Sequence, residues 1–190
     1  MAKPHRRPVP APKKNESRSQ PLSPAPALPD FFSNTRLQSL LLFAFAFLLY
    51  ANTLTHDFVQ DDAIVITNNM FTQKGVEGIS GILSKDTFFG FFKVEGKETL
   101  VSGGRYRPLT LVLFALLYEV VGSNPFVFHL LTVLLFAATC VVLYQTLLLL
   151  LQGWQAGRGR APLVAWIAAL LFAAHPIHTE VAANVKGCDE

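Results

Sequence analysis

Charge and cysteine are scarce in this chain. Only 15% of its 190 residues are Asp, Glu, Lys or Arg, against about a quarter in an ordinary soluble domain. Its two cysteines, Cys140 and Cys188, make no paired spacing, which excludes a disulfide-built scaffold and a CxxC redox pair. Cys140 sits inside an apolar run and reads as a small packed side chain. The sequence has no Gly-rich phosphate loop, no nucleophile elbow and no HExxH pair. Basic charge is thin as well. The formal charge is +3, and seven of the sixteen Lys and Arg lie in the first 36 residues. That basicity belongs to a tail and bears on topology, so no nucleic-acid partner is expected.

Apolar residues fill the gap. They make up 51% of the chain, mean hydropathy is +0.37, and they come in blocks. The pattern predicts an all-α membrane protein with about three transmembrane helices. A long extracytoplasmic loop with an interfacial helix and a disordered N-terminal tail complete it. Residues 1–30 hold eight of the twelve prolines, with Lys3, Arg6, Arg7, Lys13, Lys14 and Arg18. Residues 1–34 therefore read as a disordered cytoplasmic tail that sets topology, or as a basic arm for anionic lipid. It is not read as a cleaved signal peptide, because the apolar core begins too late. Residues 35–190 read as the N-terminal part of a larger transmembrane domain.

The first predicted span is 37–55, built on the unbroken run Leu40–Tyr50; its length of about 28 Å matches a bilayer core. The positive-inside rule places residue 56 on the far side, at the start of an extracytoplasmic loop 56–124. Within it, Asp86–Phe92 reads as an interfacial aromatic cluster or a core strand. Residues 108–121 carry a stripe of Leu109, Val112, Leu113, Leu116, Leu117 and Val120. At about 21 Å this segment is short for a bilayer and reads as an interfacial helix. The second span is 125–151. Residues 152–160 follow with two Arg and no acid, a cytoplasmic signature. The third span is 162–178, whose polar end calls for shielding from lipid. A four-span alternative counts 108–121 as a crossing and puts Arg158 and Arg160 outside.

The three-span topology brings polar clusters to one non-cytoplasmic face. Asp61 and Asp62 follow the first span, and Arg105 and Arg107 precede the interfacial helix. His129 opens the second span; His175, His178 and Glu180 close the third. A carboxylate of the Asp61–Asp62 pair suits a general base toward a hydroxyl nucleophile, or a turn cap. Arg105 and Arg107 suit phosphate, or serve as interfacial anchors. Pro176 breaks the helix between His175 and His178, so a hydrogen-bonded network is favoured over a metal site. No metal ligand set is assigned.

Four motifs in order carry a family resemblance: Asp57-Phe-Val-Gln-Asp-Asp62, Tyr106-Arg-Pro-Leu-Thr110, Asn124-Pro-Phe-Val-Phe-His129 and His175-Pro-Ile-His-Thr-Glu180. Residues 37–190 resemble the transmembrane O-mannosyltransferases that carry tetratricopeptide repeats and their bacterial relatives, within the GT-C glycosyltransferases. The resemblance implies a polyprenyl-phosphate-linked sugar as donor and a protein or glycan hydroxyl as acceptor, on the extracytoplasmic or lumenal face. It implies Asp61 and Asp62 as the acidic catalytic motif. Arg105 or Arg107 would hold the lipid phosphate, and His178 and Glu180 would line the same site. His129 and His175 join them as candidate substrate-binding side chains. No cofactor is certain, and a divalent metal requirement is open. The expected setting is a bacterial inner membrane or the endoplasmic reticulum, with membrane lipid as a further partner. A scaffold subunit and a transporter half with a His/Glu proton relay are the rival readings.

Overall fold

The computed structural model describes residues 29–59, 61–94, 106–151, 153 and 159–189. The tail 1–28, Arg105 and the 154–158 stretch with Arg158 lie outside the described residues. Among the described residues every regular element is helical, so the fold is all-α.

Helix α1 (Thr35–Tyr50) starts where the Asn34 side chain accepts a hydrogen bond from the Leu37 amide at 3.0 Å, an N-cap. A 3₁₀ turn extends the apolar segment to Thr55. Next come a π-helical turn (Ala63–Thr67), a 3₁₀ stretch (Thr72–Gly78) and two short helices, α2 (Ile79–Ser84) and α3 (Thr87–Phe92). Helix α4 (Pro108–Val121) has proline in its first turn, where its missing N–H costs nothing. Helix α5 (Pro125–Leu151) runs 27 residues. Helix α6 (Ala161–Ala173) and short α7 (His178–Ala183) precede a final 3₁₀ turn, Val185–Asp189.

Helices α1, α5 and α6 form an antiparallel bundle. The Tyr144 hydroxyl donates to the Gln38 side chain near one end. Near the other, Tyr50 donates to the Ala173 carbonyl at 3.2 Å. Residues 56, 125 and 174 therefore share one end. The seam is made of small side chains: Ala46, Ala137, Cys140, Ala165, Ala169 and Ala173 are all fully buried. Without a hydrophobic drive between helices in lipid, such residues let backbones approach and gain dispersion. Outward-facing Leu48 is 72% exposed and Leu150 72%, a surface suited to acyl chains. Thr35–Thr55 and Pro125–Leu151 are long and apolar enough to cross a membrane.

The predicted third span is shorter than 162–178. Helix α6 stops at Ala173, 13 residues long, because Pro176 lacks an N–H to continue the ladder. The chain turns through His175–Ile177 before α7 begins.

Within the predicted loop 56–124 the described residues form a folded cap, whose core of Val65, Ile66, Ile82, Leu111 and Phe114 is shared with Phe128 of α5. Buried Asn69 organises it, donating to the Ile64 and Thr87 carbonyls while its Oδ1 accepts from the Phe71 and Thr72 amides. The Asp86–Phe92 cluster is helix, not strand, with Asp86 capping it through the Phe88 amide at 2.7 Å. Helix α4 packs on this cap through Leu111, Phe114 and Ala115. Of the predicted stripe, Leu109, Leu113, Leu116 and Val120 lie on the outer face, with Leu109 84% and Val120 80% exposed, while Val112 and Leu117 pack on the cap.

Candidate active site

The site lies where the cap meets the shared end of the bundle. Asp62 follows the turn after α1 and is fully buried. One carboxylate oxygen accepts from the Val59 amide at 3.0 Å. The other accepts from the Lys186 amide at 2.8 Å. Burial pushes the Asp62 carboxyl above its usual range, and these two amides partly oppose the shift. Asp62 thus ties the first loop to the final 3₁₀ turn.

Asp61 points the other way. Its Oδ2 meets the Lys186 ammonium at 2.8 Å, with the Asp61 side chain 49% exposed and that of Lys186 18%. Asp61 and Lys186 line a polar cavity of about 190 Å³ with Glu180 and Asn184. Among the described residues Lys186 holds one carboxylate oxygen of Asp61, and no hydrogen bond engages the other.

His178 lines a separate groove of about 440 Å³, with Thr132, Phe136 and Phe172. Its ring centroid lies 4.2 Å from that of Phe172. Burial, then the neighbouring His175, holds the His178 imidazole below its ordinary value. His175 is exposed, and its Nδ1 accepts from the Ile177 amide at 3.2 Å. His129 is fully buried beneath Asp57 and His56; its ring centroid is 6.3 Å from that of His56. The Asp57 carbonyl lies beside it, yet neither ring nitrogen reaches hydrogen-bonding geometry with the described residues. Arg107 is exposed at the start of α4, beside Tyr106, whose hydroxyl donates to the Leu83 carbonyl at 2.8 Å. Among the described residues no group of three or more His, Cys, Asp and Glu could hold a metal ion.

The structure therefore brings Asp61 and Glu180 to one cavity, places His178 in the next groove, and sets Asp62 and His129 behind them. Sequence reasoning missed Lys186. One signal was available: Lys186 is the only Lys or Arg between 161 and 190, in a segment expected to share a face with three aspartates.

Several known proteins are similar to this chain. Human protein O-mannosyl-transferase TMTC4 is 34% identical over 170 residues, covering 86% of this chain and 22% of that protein. Human protein O-mannosyl-transferase TMTC1 is 35% identical over 140 residues, covering 74% of this chain and 14% of that protein. The Drosophila melanogaster protein O-mannosyl-transferase Tmtc1 is 34% identical over 145 residues, covering 76% of this chain and 15% of that protein. The chain spans about a fifth or less of the length of these relatives. No family model matches it, and no solved structure does.

Proposed function

For a membrane chain homologous over most of its length to protein O-mannosyl-transferases, we propose a role as the acceptor-activating part of a membrane glycosyltransferase. The donor is a sugar, mannose by analogy with the relatives' names, on a polyprenyl phosphate. The acceptor is a protein or glycan hydroxyl. Residues 1–34 lie in the cytoplasm, and the acidic pair works on the extracytoplasmic or lumenal face.

Asp61 is the general base. Its open Oδ1 takes the acceptor hydroxyl proton while the hydroxyl oxygen bonds to the anomeric carbon. The bond from that carbon to the phosphate oxygen breaks, and the lipid phosphate leaves with the electron pair. Arg107, with Arg105, is assigned to the developing phosphate charge. Asp62 holds the loop that presents Asp61. Glu180 and His178 line the acceptor approach, with His175 at its rim and His129 beneath it.

The observation that carries this reading is the split between the two aspartates. One is buried, with an amide on each oxygen; the other is half-exposed in a polar cavity, with one oxygen bonded by none of the described residues. The test is Asp61→Asn in the complete polypeptide that contains this chain, assayed for transfer from a polyprenyl-phosphate sugar. Turnover should fall by about 10² to 10⁴ with membrane insertion unchanged. Near wild-type turnover would make Asp61 a structural cap.

A further inference from the structure

We infer that Lys186 is the positioning residue of this site, fixing which oxygen of Asp61 faces the cavity; the inference rests on Asp61 acting as the base. Three features of its setting carry the argument. First, its backbone is pinned on both sides. Val185 is fully buried, within the cap core. Gly187 packs so closely on α7 that a Cβ there would stand 2.4 Å from the Val181 carbonyl oxygen. Second, the Lys186 amide is shared between the buried Asp62 carboxylate at 2.8 Å and the Asn184 side chain at 3.2 Å. The stem therefore leaves from a fixed point. Third, its ammonium takes one oxygen of Asp61, which lines the cavity beside it, and no hydrogen bond from the described residues takes the other.

An ion pair with a half-exposed partner adds little to stability. What Lys186 supplies is orientation. A carboxylate free to rotate presents its lone pairs in many directions, and proton transfer needs one of them within hydrogen-bond reach of the hydroxyl. With Oδ2 tied to an ammonium that cannot wander, Oδ1 stays aimed into the space shared with Glu180 and Asn184. Asp62 thereby serves Asp61 indirectly, since the amide it grips belongs to the residue that aims its neighbour.

The experiment has two arms. In the first, a zero-length carbodiimide is applied to the detergent-purified chain, and peptides joined through residues 61 and 186 are sought by mass spectrometry. The link should form in the wild type and vanish in Asp61→Asn; its absence from the wild type overturns the inference. In the second, Lys186→Met, Lys186→Arg and Asp61→Asn are compared in the complete polypeptide, using a polyprenyl-phosphate sugar as donor. Lys186→Met should lower kcat about 10- to 100-fold and leave the acceptor KM within about two-fold. Lys186→Arg keeps the charge and should restore most of the rate, which a folding defect at residue 186 would not do. If Asp61→Asn is inactive while both Lys186 variants keep wild-type kcat, positioning by Lys186 is wrong and the base stands. If Asp61→Asn is itself active, the base assignment fails, and the inference falls with it.

Discussion

Asp62 and Lys186, 124 positions apart in sequence, are joined by a 2.8 Å hydrogen bond from the Lys186 amide into a buried carboxylate. That bond closes the cap onto the end of the helical bundle. Because the carboxylate also holds the Val59 amide, it fixes both chain segments of the junction at once.

Replacing Asp62 by Asn should therefore destabilise the fold. An NH₂ group would face one of the two amide donors, and an unmet buried donor costs about 1–3 kcal/mol. The pH dependence has a definite sign. Burial raises the Asp62 carboxyl in the folded state, so the folded protein binds that proton more tightly than the unfolded chain. The resulting stabilisation is fully present below the ordinary carboxylate value and is lost as pH rises through the raised one. Melting temperatures of the wild type and Asp62→Asn, compared from about pH 4 to pH 7, should differ most at the acid end. A constant difference would show that the carboxyl does not titrate in that window.

Asn69→Ala should loosen the cap without disturbing the bundle. Four hydrogen bonds converge on this one buried amide, and its loss leaves amides and carbonyls unmet at about 1–3 kcal/mol for each truly buried group. Hydrogen exchange is the measurement. Amides in 63–92 should lose protection while those of α5 keep theirs. Uniform loss across both would mean that cap and bundle unfold together.

The alanine seam predicts intolerance to bulk. Ala169→Leu places three extra carbons where the contact surface of α6 is fully buried. Overpacking of this kind costs about 1–3 kcal/mol. Thermal inactivation in detergent should shift down, while Leu171→Ala, on the outward face, should leave it nearly unchanged. Equal shifts for the two would argue against a packed seam.

Topology is open to a thiol probe. With native cysteines replaced, an impermeant reagent should label a cysteine at Val94 from outside the cell or vesicle lumen, and one at Gly159 only from the cytoplasm. Labelling of position 159 from outside would invert the orientation assigned to the bundle.

Much of the helical framework was legible in the sequence. The runs behind α1 and α5 are long and uninterrupted; 125–151 coincides with α5, while 37–55 covers α1 from its third residue and the 3₁₀ turn after it. The end of α6 was less so: Pro176 marked a break, but the apolar run up to Ala174 did not show that the helix stops at Ala173. The stripe of α4 marked an interfacial helix, and Leu109, Leu113, Leu116 and Val120 do lie exposed, while Val112 and Leu117 pack on the cap. Both sides of that helix are apolar, so periodicity alone cannot tell a protein-facing Phe114 from an outward Leu113. Asp61 and Glu180 stood out as charges beside apolar segments. Lys186 did not, because its partners lie across more than a hundred residues, and no short-range spacing encodes a contact made by the closure of the whole chain.

The outward stripe of α4 carries a last consequence. Leu109, Leu113, Leu116 and Val120 form an exposed apolar surface among the described residues, on a helix held to α5 through Phe114 against Phe128 and to the cap through Glu119, which accepts from the Val76 amide at 3.1 Å. In a membrane protein such a surface settles into the headgroup boundary. Helix α4 then acts as a float. The cap cannot ride higher or lower than that waterline permits, and neither can the cavity of Asp61. If Asp61 is the base proposed above, its chemistry sits at that fixed height above the acyl chains, and an acceptor would have to bring its hydroxyl down to the membrane skin.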